Sequence, residues 1–325
     1  MSGEALICAY RLDGKGGGVE LPWGQLAPEL GDGEFTWVHL DRTQPETRGW
    51  LEGEAALDPL VVDALLADET RPRCTEHAGG ILLNLRGVNL NPEADPEDML
   101  SIRVYVTPKR IVSARRFHLM AIEDIRKALG NGTGPATPGM FMAMLADRLL
   151  MRIGEKIGDL EDEMDGLEDE VLVEQRATIR GALSNLRRLA ITFRRHISPQ
   201  REALARLATM DIEVGFITPR ERNRIREAFD AVSRQVENLD EVRERASVIQ
   251  EELTTRLSDM MNQKLYVLSV AAAIFLPLNL VAGMLGMNVA GMPGVTDHRA
   301  FFIATGLLIV VGVLEYIIMR WKRWI

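Results

Sequence analysis

Asn279 places a side-chain amide inside Leu265–Leu285, a run of 21 residues without a charge. An amide is costly in hydrocarbon unless it meets partners or water. It belongs to a stripe on a repeat of three and four: Thr254, Ser258, Asn262, Leu265, Ala272, Leu276, Asn279 and Gly283. The stripe begins at Glu251, and Gly286-Met287-Asn288 closes the run. Two chemistries fit Asn279, a hydrogen bond between helices or a ring of amides lining a pore in a symmetric oligomer. Amide oxygens and backbone carbonyls are hard ligands that suit a cation still carrying water. Leu265, Leu268 and Leu276 are either packing residues or apolar constrictions that gate by dewetting. Pro277 removes one helical hydrogen bond and invites a kink. Ala271-Ala272-Ala273 and Gly283 permit close helix approach.

Further carboxylates could act on cations or protons. Glu155, Asp159, Glu161, Asp162, Glu163, Asp165, Glu168, Asp169 and Glu170 form the acidic face of a helix whose apolar face runs from Met144 to Val171. That face reads either as ordinary solvated surface or as a cation-attracting one. Glu315 lies in a second apolar run, Ala300–Met319. It is either an interfacial residue, five positions before Arg320, or a proton carrier. His39, His77, His118, His196 and His298 show no local ligand pairing, so no zinc cage is legible. His298 reads as a loop residue beside the outer mouth. No nucleophile–base pair stands out, which argues against an enzyme. The segment Gly130–Pro135 reads as a linker, because a G-x-x-x-x-G-K-[ST] loop is missing and nothing suggests nucleotide use.

The elements that must position these residues are a large charged body and two spans. A run of 21 apolar residues crosses a hydrocarbon core of about 30 Å. Lys264 precedes the first span, while Arg320, Lys322 and Arg323 follow the second. The positive-inside rule then puts both termini in the cytoplasm, with Trp321 and Trp324 as interfacial anchors. No signal peptide is evident, so the charged body is expected in the cytoplasm, beneath the inner membrane. The net charge of −9 disfavours nucleic acid and is compatible with attracting cations. Two cysteines, Cys8 and Cys74, make a disulfide framework unexpected.

The expected fold class is an α+β cytoplasmic domain with a long helical stalk and two transmembrane helices. Residues 1–136 read as a mixed sheet with packed helices. Strands are expected at Ala5–Leu12, Phe35–Leu40, Ile81–Leu90, Met99–Thr107 and Arg110–Ala114, and short helices at Pro45–Glu54 and Pro59–Ala67. A helix is expected at Phe117–Leu129. Residues 137–218 read as a helical hairpin: the acidic helix, then Arg176–His196 ended by Pro199. Residues 219–264 form a stalk helix that runs without a breaker into the first span, 265–285. An outer loop, 286–299, the second span, 300–319, and a basic tail, 320–325, complete the chain. Ile225, Phe229, Val232, Val236, Leu239, Ala246, Leu253, Leu257 and Met260 give the stalk a heptad-like stripe that needs cover. A helix of about 66 residues, roughly 100 Å at 1.5 Å per residue, predicts bundling with copies of itself. Two spans per subunit cannot enclose a pathway, so transport also needs an oligomer.

Gly286-Met287-Asn288 after a proline-containing span, followed by one more span and a basic end, resembles the CorA family of divalent-cation channels and transporters. Val289-Ala290-Gly291-Met292-Pro293-Gly294 resembles its ZntB zinc-transporter branch. So do His39-Leu40-Asp41, Glu69-Thr70-Arg71-Pro72-Arg73, Arg103-Val104-Tyr105-Val106-Thr107, Ile111-Val112-Ser113-Ala114-Arg115 and Gly132-Thr133-Gly134-Pro135. The resemblance implies a funnel-shaped homopentamer in membrane lipid with the first span lining the pore. It implies that Asn288 binds a hydrated cation at the outer mouth, and that Asn279 takes a polar pore position. Leu265, Leu268 and Leu276 would fall at constrictions, and the acidic helix would match the family's helices outside the stalk. It implies divalent cations as cargo, zinc first, with proton coupling and no cofactor. A magnesium or cobalt channel gated by cytoplasmic metal stays open, as does a membrane-anchored coiled-coil scaffold.

Overall fold

The structure is a computed structural model that describes residues 5–68, 71–173, 177–210, 216–287 and 299–322. The chain divides into two compact units, Met1–Gln250 and Glu251–Ile325. The first unit is built on a seven-stranded sheet of order β2-β1-β3-β7-β6-β5-β4. Its strands are β1 Leu6–Leu12, β2 Gly18–Glu20, β3 Phe35–Asp41, β4 Arg73–His77, β5 Gly80–Gly87, β6 Leu100–Val106 and β7 Arg110–Arg115. Only β3 and β7 pair in parallel, so the sheet is mixed, as expected. The two edge strands are not legible as strands. β2 has three residues, and β4 reads Arg-Cys-Thr-Glu-His. Edge strands are kept short or charged to block further pairing, so they carry little apolar pattern.

The helices α1 Pro45–Glu52 and α2 Pro59–Leu66 cover one face of the sheet. Trp50, Leu51, Val61, Val62 and Leu65 pack there against Val38, Leu40, Leu82, Tyr105 and Val112. Trp37, one residue out of phase with Val38, points the other way and meets Phe141 edge-on at 5.0 Å. Phe141 belongs to α4, Pro138–Val173, which with α3, Met120–Gly130, lies on that second face. The glycine segment after α3 is tied down: Gly134 N–H donates to Gly16 O at 2.8 Å.

α5 spans Ala177–Thr209 and contains Pro199. The expectation that Pro199 ends this helix is therefore corrected. Proline removes one intrahelical bond, and tertiary anchoring can carry the helix past it. Here the side chain of Gln200 accepts from Arg86 N–H at 2.7 Å, fixing α5 to β5.

α6 runs unbroken from Pro219 to Leu285 and so contributes to both units. Its start is a capping box. Thr218 N–H donates to Glu221 Oε2 at 2.6 Å, and Glu221 also accepts from the Thr137 hydroxyl, which caps α4 through Met140 N–H. Ile225, Val232, Val236, Leu239 and Ala246 are buried, as the stripe requires. Their cover includes the chain's own α4 and α5. Gln235 bonds Leu150 O, Arg245 bridges Asp165 and Glu168, and Arg194 bridges Asp240. The neighbour expected to be another copy is thus, along this stretch, intramolecular. In the second unit α6 pairs with α7, Ala300–Trp321.

Candidate functional site

Within Glu251–Ile325 the apolar stretches of α6 and α7 are each long enough to cross a membrane. On α6, Val270, Ala271, Ala273, Ile274, Pro277, Leu278 and Val281 are partly covered. On α7, Ala304, Leu308, Val311, Gly312 and Glu315 are partly covered, and Met319 is buried. The two faces meet where Leu278 methyl carbons come within 3.9 Å of the point a Cβ on Gly312 would occupy. A glycine there lets the helices approach closely.

The polar stripe lies elsewhere on α6. Thr254, Ser258, Asn262, Leu265, Leu268, Ala272, Leu276, Asn279 and Gly283 are all exposed, Leu268 at 66% and Leu276 at 68%. At about 100° per residue, the centre of this stripe falls about 180° around the helix from the centre of the covered face. The single chain therefore leaves bare the side of α6 turned away from α7. Gly286 and Met287 follow the helix end, and Gly286 N–H still reaches Ala282 O at 2.9 Å. Asn288, the loop 289–294, Asp297 and His298 lie outside the described residues, as do Glu69, Thr70, Arg323 and Trp324.

Glu315 occupies the α6-facing side of α7, one turn beyond Gly312. Its Oε2 is buried and has no hydrogen-bond partner among the described residues. It is packed between helices rather than turned outward, and it does not share the stripe's side of α6.

Most of the acidic side chains of α4 are exposed, while Glu161 and Glu168 are partly covered. Arg245 holds Glu168 at 2.6 Å and Asp165 at 2.5 Å, and its guanidinium keeps the Glu168 carboxyl below the usual carboxylate range. Lys156 pairs with Asp159 at 2.6 Å. Among the described residues, no group of three or more His, Cys, Asp or Glu side chains could hold a metal. Any interaction of this helix with cations would therefore rest on its field rather than on a cage.

Two histidines of the first unit, His39 and His77, are occupied structurally. His39 is fully buried, with Nδ1 2.7 Å from Ser113 Oγ, which also accepts from Trp37 Nε1–H at 2.8 Å. Burial holds its pKa well below the ordinary histidine value. His77 Nε2 lies 2.9 Å from Asp58 Oδ1. Cys8 and Cys74 are buried and unbridged, and burial pushes both thiols up to about 12, far from the reactive range.

An α/β unit, one long helix shared with an apolar two-helix hairpin, and a bare polar stripe define a class of protein: a membrane protein with a large soluble portion and two helices apolar enough to span. The family described as CorA-like Mg2+ transporter protein matches residues 32–323. The zinc transport protein ZntB of Yersinia enterocolitica is 33% identical over 332 residues, covering 100% of this chain and 99% of its own. The divalent cation transporter CmaX of Pseudomonas aeruginosa is 36% identical over 325 residues, covering 99% and 97%. The solved full-length CmaX protein matches with a TM-score of 0.87 at 35% identity, over 99% of this chain and 98% of that one. The CorA magnesium transporter of Methanocaldococcus jannaschii matches with a TM-score of 0.79 over 98% and 99%, and at 17% identity it speaks for the fold. The chain belongs to the CorA family, in its ZntB branch.

Proposed function

We propose that this chain moves divalent cations, zinc by preference, across the inner membrane through a homopentameric pore lined by α6. The observation that carries the reading is the bare stripe opposite the α7-covered face. In a ring of subunits with α7 outermost, that stripe turns to the axis. Asn279 then supplies a ring of amides and Leu276, Leu268 and Leu265 supply apolar collars. Asn288 at the end of the Gly-Met-Asn motif receives the hydrated ion. The full-length relatives support cation transport: ZntB is named for zinc, CmaX for divalent cations and the solved CorA for magnesium.

No chemical energy source is required. A potential of about 100 mV, negative inside, favours entry of a divalent ion by about 4.6 kcal/mol. Both termini lie in the cytoplasm in this reading, and Glu315 is the proton carrier if uptake is proton-coupled.

The test is flux into proteoliposomes containing this protein alone, with zinc, magnesium and cobalt, with and without an inward proton gradient. Zinc entry that rises with the gradient is expected. Asn288→Ala is expected to abolish it and Asn279→Leu to lower it at least tenfold. Glu315→Gln is expected to remove the pH dependence while flux persists. Magnesium entry driven by potential alone would replace zinc by magnesium in this reading. No flux of any ion would return the scaffold alternative.

A further inference from the structure

A cavity of about 1030 Å³ opens in the unit Met1–Gln250, on the side of the sheet that carries α1 and α2. Its described lining includes six arginines, Arg42, Arg71, Arg86, Arg103, Arg116 and Arg195, against two carboxylates, Asp68 and Asp98. The sheet register brings the central members together. Asn84 faces Arg103 across β5 and β6, and Arg86 faces Ser101. Residues two apart on a strand share a face, so β5 and β6 present Asn84, Arg86, Ser101 and Arg103 to the same side. Arg42 follows β3 directly, and Arg195 and His196 come from α5.

The end of α2 holds two of these guanidinium groups in place. Arg103 Nη2 donates to Ala67 O at 2.7 Å, and Arg42 Nη1 donates to Leu66 O at 3.2 Å and to Asp68 Oδ1 at 2.9 Å. Cations suit a helix C-terminus, where carbonyls lack intrahelical donors. Arg103 is 2% exposed and the Arg42 side chain 7%. Yet the Nε–H of each is buried and without a hydrogen-bond partner among the described residues. Leaving such donors unmet costs free energy.

The charges also oppose one another. Burial, then Arg42 and Arg86, draw Arg103 down to about 10, and the one carboxylate acting the other way, Asp68, is itself exposed. Burial, then Arg86 and Arg195, push His196 down to about 4, although Asp98 opposes this, so its imidazole is neutral at pH 7. A cavity that gathers like charge at its lining is arranged for an anion. Arginine's planar fork matches phosphate bidentately, and the excess of arginine over carboxylate suits more than one negative charge. The volume is at the upper end of the 300–1,000 Å³ typical of small-ligand sites, roughly the room a nucleotide needs. Phe117, stacked under the Arg116 guanidinium at 5.1 Å, adds an aromatic surface at the rim.

We propose that this arginine-lined cavity of the soluble unit binds a compact polyvalent anion of the phosphate class. The site would bind and not hydrolyse, and it stands whether or not zinc is the cargo.

Calorimetric titration of the full-length detergent-solubilised protein tests this with inorganic phosphate, pyrophosphate and ADP, against chloride at matched ionic strength. Pyrophosphate is expected to bind more tightly than phosphate and to raise the melting temperature. Tighter binding of ADP than of pyrophosphate would assign the anion to a nucleotide. Arg195→Gln and Arg116→Gln avoid the two anchored arginines, and each is expected to weaken binding by roughly tenfold. Circular dichroism and cation flux, expected to be unchanged, would show that both variants fold. Heats no larger than those of chloride would overturn the proposal. So would pyrophosphate binding that both folded variants retain in full.

Discussion

His196 shows how one side chain ties a site to stability. Its folded pKa of about 4 lies below the ordinary histidine value of 6.5, chiefly through burial. The folded state thus binds fewer protons than the unfolded one between these values. Stability is full above pH 6.5 and falls as pH drops from 6.5 toward 4. His39 acts in the same direction from its fully buried position. Replacing His196 by Asn should make the loss shallower in that window, by on the order of 1 kcal/mol because the group is only half-buried. Chemical denaturation at pH 7.5 and pH 5 checks this, and equal slopes for the two proteins would refute it. The candidate residues differ in how far their placement could be read. The exposed placement of Asn279 and its stripe was legible because an amide in an apolar run violates the composition around it. The arginine cavity was not, because Arg42, Arg86, Arg103 and Arg195 are far apart in sequence and only the sheet register and α5 bring them together.

At the scale of elements, the starts of α4 and α6 are one structure. Both helices begin Thr-Pro, and the buried carboxylate of Glu221 serves both ends. Glu221→Ala should cost about 1–2 kcal/mol, since a cap is lost and the Thr137 hydroxyl loses its acceptor. A smaller midpoint shift in urea than in a Thr133→Ala control, which alters an exposed turn, would count against the shared cap. Helix α6 was legible almost to the residue, because its heptad stripe and its apolar run follow without a breaker. The end of α5 was not, because Pro199 is a local signal, whereas the anchor beside it, Gln200, is held by Arg86, which is distant in sequence. The edge strands β2 and β4 escaped for a related reason: their pairing is supplied by neighbours and not by their own apolar pattern.

For the whole molecule, the cover of the upper α6 stripe by α4 and α5 changes what drives assembly. The soluble unit satisfies that stripe alone, whereas the stripe from Thr254 to Gly283 stays bare. Association should therefore depend on the apolar helices. Purified full-length protein is expected to run near five times its chain mass of 36.3 kDa, and a fragment ending at Gln250 as a smaller species. Native mass measurement in detergent decides it, and a stable full-length monomer would remove the pore.

If Glu315 carries the proton, its position separates two traffics. Its carboxylate lies in the seam between α6 and α7, while the stripe proposed for the metal lies around the far side of α6. Proton and metal would then travel in different lanes with one helix as the wall between them. They could not compete for a common seat, so any coupling would pass through movement of that wall. Acidification would accordingly change turnover and leave the half-saturating zinc concentration where it was.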